Sequence, residues 1–412
     1  MNVLKKIIFV TIIALNSFAF FAQNLKQYDG SISIDMNSKN LIADFKITLH
    51  DLSKIDTLKL YLHQSSKISE VYSNSKPIPY KVIQESFIGD DKYISLPTAD
   101  IKENTVGLQY SLSLDSLKNN GFTFNENWLE LNLYTAWFPF NTKYGTFAYN
   151  VDVNLTEGYN IISSGKVSNS HNLWKISQQI PSVGIPIIIL PQLNHESIGN
   201  GKVKIYHFGL DQESVNTIKG NTIFHFENLN GMFSNSNSNN LVLTVNKLDH
   251  TTSYARKNFI SLSIDGSFDS FYDKILAHEL AHLWWNNASV NTWEDWLNES
   301  FAEYSAIILQ RDLYGEDNFT KNIVRLKKQT KDLPTLYQIE KSNNDYQNVI
   351  TYKGAFILYG LEFKIGRVAF VDLLKVVYKN KITSTSELLN TIEKELGKEI
   401  KDFVIRKLKG IN

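Results

Sequence analysis

The 412-residue chain contains no cysteine. Disulfides cannot staple its fold, attachment through a lipidated N-terminal cysteine is excluded, and thiolate is unavailable as a metal ligand. The chain also lacks an excess of charge of either sign, with 42 Lys and Arg against 42 Asp and Glu. No basic field exists to draw in nucleic acid or an anionic membrane surface, so neither partner is expected. The cluster Arg325, Lys327 and Lys328 reads as a solvated helix face. No internal repeat is visible. What remains is a globular composition, 43% hydrophobic and 20% charged, over a length that suggests two or three domains with sizeable cores. Stability must come from core size and packing.

At the N-terminus, Lys5 and Lys6 precede an apolar run from Ile7 to Leu15 and a small residue, Ala22. This is the pattern of a targeting signal over residues 1–22, with the mature protein beginning near Gln23. Its removal leaves 40 basic against 42 acidic groups, a net charge of −2. An uncleaved anchor is the alternative, although the run is short for a spanning helix. In either case the body lies outside the cytoplasm, periplasmic or extracellular, and after signal removal no stable membrane insertion is expected.

Residues 23–197 read as an N-terminal β domain. Phe147, Tyr149, Val151, Val153 and Leu155 alternate with Ala148, Asn150, Asp152, Asn154 and Thr156, the two-residue period of a half-buried strand. Similar alternation at Asp44 to His50 and Thr57 to His63, separated by Gly and Asn clusters, predicts an antiparallel sandwich or saddle. The Pro-punctuated stretch from Ile180 to Pro191 and the polar run to Gly201 mark the boundary. Residues 198–412 then carry strands at Val203 to Phe208, Leu241 to Val245 and Phe259 to Ile264, with helices dominating from about Ser267. The expected class is α+β.

The chemistry is concentrated at His278-Glu279-Leu280-Ala281-His282. At about 100° per residue, positions four apart share a helix face, so both imidazoles can reach one ion, while Glu279 is rotated off that stripe and suits a general base. A catalytic zinc takes a third protein ligand and keeps one position open. Sixteen residues separate His282 from Glu299, which sits in an apolar-periodic segment from Trp293 to Tyr304, with Thr292 and Asp295 spaced as a capping box. A helix–loop–helix hairpin returns Glu299 over the histidine pair, giving one Zn2+ held by His278, His282 and Glu299. Trp284, Trp285, Trp293 and Trp296 are expected to pack the helix pair, without contacting substrate.

The run HELAHLWWNNASVNTWEDWLNESFAEY, residues 278–304, resembles the gluzincin metallopeptidases of the aminopeptidase N type. Trp137-Phe138-Pro139-Phe140 with the strand from Thr146 to Thr156 is similar to that family's β domain, and Ser386 through Ile400 to the last helices of its thermolysin-like catalytic domain. The resemblance implies a zinc metallopeptidase acting on peptides or proteins. Glu279 would activate the water and pass its proton to the leaving amine, and the strand Phe259 to Ile264 would be the sheet edge that pairs with an extended substrate. The family's large C-terminal helical domain has no residues here to build it, and its usual spacing of eighteen between the second histidine and the glutamate is shortened by two.

Two departures bear on mechanism. The family's oxyanion-stabilising tyrosine lies two positions before a Lys-Gly pair, whereas Thr351-Tyr352-Lys353-Gly354 places Tyr352 directly beside the lysine and Thr351 in the tyrosine's position. A rotated helix or local bulge could still aim Tyr352, or the nearby Tyr346, at the metal; packing or exposure is the other reading. The family's amine-binding glutamate, in a Gly-x-Met-Glu-Asn segment, has no counterpart in Thr252-Ser253-Tyr254-Ala255-Arg256, so strict aminopeptidase action is not expected. No substrate-binding residue is assigned. Two function classes stay open: a secreted zinc metallopeptidase, and a catalytically weak or inactive zinc-binding relative that serves as a peptide- or protein-binding module.

Overall fold

The computed structural model describes residues 25–411 except 54, 120–123, 126, 142–144, 200, 234–240 and 248–252. The expected targeting segment at 1–22 and the Asn- and Ser-rich loop at 234–240 lie outside the described residues.

The predicted alternation at 147–155 becomes a strand, Phe147–Leu155, whose odd-numbered side chains are buried. It belongs to an eight-stranded sheet ordered Lys166–Ser170, Leu173–Ser182, Phe147–Leu155, Leu25–Asp35, Asn40–Leu49, Thr105–Ser113, Lys67–Ser73 and Lys76–Pro77. The sheet is not wholly antiparallel: Leu25–Asp35 runs parallel to Phe147–Leu155. Such a pairing needs a long crossover, and the intervening chain supplies it by building the smaller sheets. Trp137, Phe138 and Phe140 are buried in the core of this half, where Tyr28 stacks on Phe147 at 4.0 Å between ring centroids.

The second half is built on a five-stranded sheet ordered His195–Ile198, Val203–Phe208, Leu241–Lys247, Phe259–Ile264 and Tyr254–Arg256. The chain changes from one set of sheets to the other between Leu190 and His195, slightly ahead of the expected division at 197/198. Val203–Phe208 and Leu241–Lys247 are parallel, and the crossover between them is a 22-residue helix, α1 (Gln212–Phe233). That helix escapes the sequence reading because Asn, Thr, two Gly and scattered aromatics blur its apolar stripe.

Phe259–Ile264 is not an edge strand. All six of its side chains are buried, and it lies between Leu241–Lys247 and Tyr254–Arg256, which itself forms the sheet edge among the described residues. Lys257 and Asn258 make the tight turn joining the last two strands, Lys257 with φ of 50°.

Behind the sheet come α2 (Ser270–Ala281), α3 (Trp296–Tyr314) and α4 (Glu316–Thr330), followed by helices at Gly354–Ile365, Arg367–Lys379, Thr385–Leu396 and Lys398–Leu408. Gly315, Gly366 and Gly397, at φ of 83°, 82° and 88°, each end one helix and start the next. The halves meet in a small apolar cluster, Trp128, Ile162, Ile188 and Leu190 against Tyr254 and Phe259. At its centre the Tyr254 hydroxyl donates to buried Glu130 at 2.8 Å. Among the described residues no helix is long and apolar enough to cross a membrane.

Candidate active site

Helix α2 is fixed at its start by two aspartates. Asp269 caps its start by accepting from the amides of Phe271 and Tyr272. Fully buried Asp273 accepts from Asn221 and His225 of α1, each at 2.9 Å, and from Gln310 of α3 at 2.6 Å. Four of the five residues of the predicted motif are helical, and His282 is the C-cap.

The start of α3 differs from expectation. Thr292 makes no capping hydrogen bond through its side chain; a 3-10 turn at Trp293–Asp295 leads into the helix. The loop is held by Asn298 instead, whose amide group bonds both the carbonyl and the N–H of Ala288, at 3.0 and 3.1 Å. The tryptophans pack as expected. Trp284, Trp285 and Trp296 are buried, Trp293 packs against them at the margin of the core, Trp285 Nε1 donates to Ser305 at 2.9 Å and Trp296 Nε1 to Thr385 at 2.8 Å.

The hairpin brings His278, His282 and Glu299 together, with one ligand atom from each lying within 4.8 Å of the others. The two Nε2 atoms are 3.2 Å apart, and each is 3.7 Å from a Glu299 carboxylate oxygen. Two ligands on a tetrahedral zinc, at about 2.0–2.1 Å from it, lie about 3.3 Å apart, so the imidazole spacing suits that ion. The remaining ring nitrogens are both engaged: His278 Nδ1 faces Glu303 Oε2 at 3.1 Å, and His282 Nδ1 faces the Trp285 carbonyl at 3.2 Å. Each Nδ1 therefore donates, which leaves the Nε2 of each ring as the atom that can take an ion once it carries no proton. The donor set of two imidazoles and a carboxylate fits zinc.

Glu303 was not singled out from sequence. It is buried and paired with buried Lys274, which holds its carboxyl at about 2 against the upward push of burial. Its spacing was a signal, since Glu299 and Glu303 are four apart on one helix face, like the histidines they meet. Burial alone would also raise Glu299, but the histidine charges win and hold it at about 2. His278 shows the reciprocal effect. Burial favours its neutral form, yet Glu299 and Glu303 lift it to about 10 without a metal, so a cation at this point displaces a proton. Buried Glu279 is pushed up by loss of solvent and drawn back down by both histidines.

The segment bearing the tyrosine candidates is irregular: Val349–Lys353 forms a π turn between the short helix Tyr346–Asn348 and Gly354–Ile365. This is a local bulge of one residue in the helical register. It buries Thr351 with Oγ1 3.4 Å from Glu299 Oε2. Tyr352 is half-buried; burial raises its hydroxyl, and the charges of Glu303, Arg325 and Glu299 act on it. The Tyr352 hydroxyl has no hydrogen-bond partner among the described residues. Tyr346 is already used, donating to the Thr292 carbonyl at 2.9 Å. Arg256, from the departure at 252–256, lies over the rings of Tyr254 and Tyr134.

Residues 266–406 match the Peptidase family M1 domain. Over 145 residues the chain is 32% identical to a leucyl aminopeptidase of Saccharolobus solfataricus, a match covering 31% of this chain and 18% of that protein. It is 30% identical over 146 residues to a probable aminopeptidase 2 of Sulfurisphaera tokodaii, covering 32% and 19%. The chain thus spans under a fifth of these curated relatives. A crystal structure of an M1 zinc metallopeptidase from Deinococcus radiodurans, bound to a Tyr-Ser-Ala substrate, aligns over 94% of both chains with a TM-score of 0.72 and 16% identity. The fold is shared across both halves.

Proposed function

We propose that this chain, whose residues 266–406 match the Peptidase family M1 domain, is an aminopeptidase N-like zinc metallopeptidase that hydrolyses peptide bonds. The observation that carries the reading is the convergence of His278, His282 and Glu299 within 4.8 Å beside buried Glu279. The three would hold one zinc ion. When bound there, zinc supplies Lewis acidity that activates water and polarises a carbonyl.

Glu279 is one residue from the ligand stripe, so it reaches the reacting water without binding the ion. Its burial makes it a better proton acceptor than an exposed glutamate, and it returns the proton to the leaving amine. Glu303 and the Trp285 carbonyl fix the histidine tautomers. Tyr352, whose hydroxyl has no partner among the described residues, is the available donor to the developing oxyanion.

A second reading, a zinc-holding relative that binds peptides with little turnover, draws on Thr351, not a tyrosine, facing Glu299. The variant Glu279→Gln separates the two. Under the peptidase reading it abolishes hydrolysis and leaves zinc bound; equal turnover by both proteins eliminates the mechanism. Export to the periplasm or exterior, with cleavage near Gln23, is part of this proposal and rests on the residues at 1–22.

A further inference from the structure

Arg256 ends the edge strand Tyr254–Arg256, which packs directly on α2, the helix carrying Glu279 and the two histidines. Its guanidinium carbon stands 5.0 Å from the Tyr254 ring centroid and 5.4 Å from that of Tyr134, whose rings meet edge-to-face at 6.1 Å. Tyr134 belongs to the N-terminal half and Tyr254 to the second, so the cation is seated on a floor made where the halves join. The strand that ends at Arg256 contacts α2 directly, so the arginine is carried on the element that borders the metal helix.

Its hydrogen bonding is incomplete. Nη1 donates to the Ala255 carbonyl at 2.7 Å and the Tyr134 hydroxyl interacts with the group, yet no carboxylate forms an ion pair with Arg256 among the described residues. A guanidinium carries five N–H donors in a planar fork that matches a carboxylate in two parallel bonds. A partly buried arginine held over aromatic rings, with donors to spare and on the strand that packs against α2, is preorganised for an anion. A peptide lying along the free edge of this strand pairs with its backbone whatever its sequence, so selectivity falls to side chains at the strand's end.

We propose that Arg256 is a specificity-determining residue that binds a substrate carboxylate, and that the favoured substrates are acidic peptides. The inference rests on the peptidase reading above and names the substrate class for that site. A carboxylate could come from an Asp or Glu side chain or from the peptide's C-terminus; the assignment made here is the side chain.

The test uses the zinc-loaded full chain and a set of peptides of one sequence, with Glu or Gln scanned through each position, each made with a free and an amidated C-terminus. In the wild type, kcat/KM favours Glu over Gln by about tenfold or more at one position, with amidation making little difference. In Arg256→Gln that ratio falls to near one, and in Arg256→Lys part of it survives because the charge remains but the fork is lost. Thermal melting of each variant reports whether the junction is intact. A Glu-to-Gln ratio that is the same in wild type and Arg256→Gln at every position overturns the assignment while leaving the peptidase reading standing. A preference that disappears on amidation alone moves the carboxylate to the C-terminus and overturns the side-chain assignment. If the wild type cleaves no peptide, the peptidase reading fails by itself, and the ratio of Kd values for the Glu and Gln peptides, measured on Glu279→Gln and on Glu279→Gln/Arg256→Gln, decides the role of Arg256 independently.

Discussion

Glu303 Oε2 lies 3.1 Å from His278 Nδ1, and the same carboxylate holds the buried ammonium of Lys274. The proton on that ring nitrogen is thereby fixed, and with it the face the imidazole offers to a metal. Replacing Glu303 by Gln keeps the shape and removes the charge. Zinc affinity should fall about 10- to 100-fold, as outer partners of metal-ligating histidines typically require. Competition with a chelator of known affinity measures this, and unchanged affinity would remove Glu303 from the site.

The ligand cluster also predicts a pH signature for the metal-free protein. His278 is raised from 6.5 to about 10, so its contribution to stability is full below 6.5 and lost as pH rises towards 10. Glu299 is lowered from 4.5 to about 2, so its contribution is full above 4.5 and lost as pH falls towards 2. Chelator-treated protein should therefore draw most stability from this cluster between pH 4.5 and 6.5. Zinc must displace the His278 proton, so its affinity should climb ~tenfold per pH unit above 6.5 until about 10. Thermal shifts with and without zinc across this range check both limbs.

Tyr352→Phe removes one hydroxyl from the half-buried face of the π turn. If the oxyanion donor is assigned correctly, kcat drops about 10²- to 10³-fold and zinc content is unchanged. A loss under about threefold would return Tyr352 to a packing role.

A Cβ at Gly354 would run into the Ser300 side chain, which is bonded to the Ile350 carbonyl, and would come within 3.0 Å of Leu336 Cδ1. The close approach of the π turn to α3 therefore needs glycine. Gly354→Ala should cost about 1–3 kcal/mol through overpacking, read as a lower urea midpoint. Gly360→Ala, where the nearest atom is Phe403 Cζ at 3.8 Å, should stabilise by a few tenths of a kcal/mol up to about 1.

The convergence of His278, His282 and Glu299 was legible because the 3.6-residue period of a helix turns a four-residue spacing into a shared face, and the hairpin returning Glu299 is short. Burial alternation at 147–155 was legible for the same kind of reason. Three features were not. Helix α1 has Asn, Thr and Gly where a periodic stripe would announce it. The three-residue strand Tyr254–Arg256 is too short to show any period, which leaves its neighbour Phe259–Ile264 looking like the edge; six consecutive buried positions mark a strand covered on both faces. The π turn at Val349–Lys353 is a change of backbone hydrogen bonding that leaves no composition signal, although Tyr352 falling one position late was its trace in the sequence.

The bond from Tyr254 to Glu130 decides how separable the two halves are. Burial raises the Glu130 carboxyl, and Tyr254, Ser261, Trp128 and Asn132 all oppose that rise. Cutting the molecule at residue 191 would strand an acid without its principal donor on one piece and lay bare Tyr254 and Phe259 on the other. Neither fragment should be an autonomous folding unit, and the second half alone would be expected to precipitate. The β-rich half is thus a wall of the molecule that cannot be exchanged like a cassette.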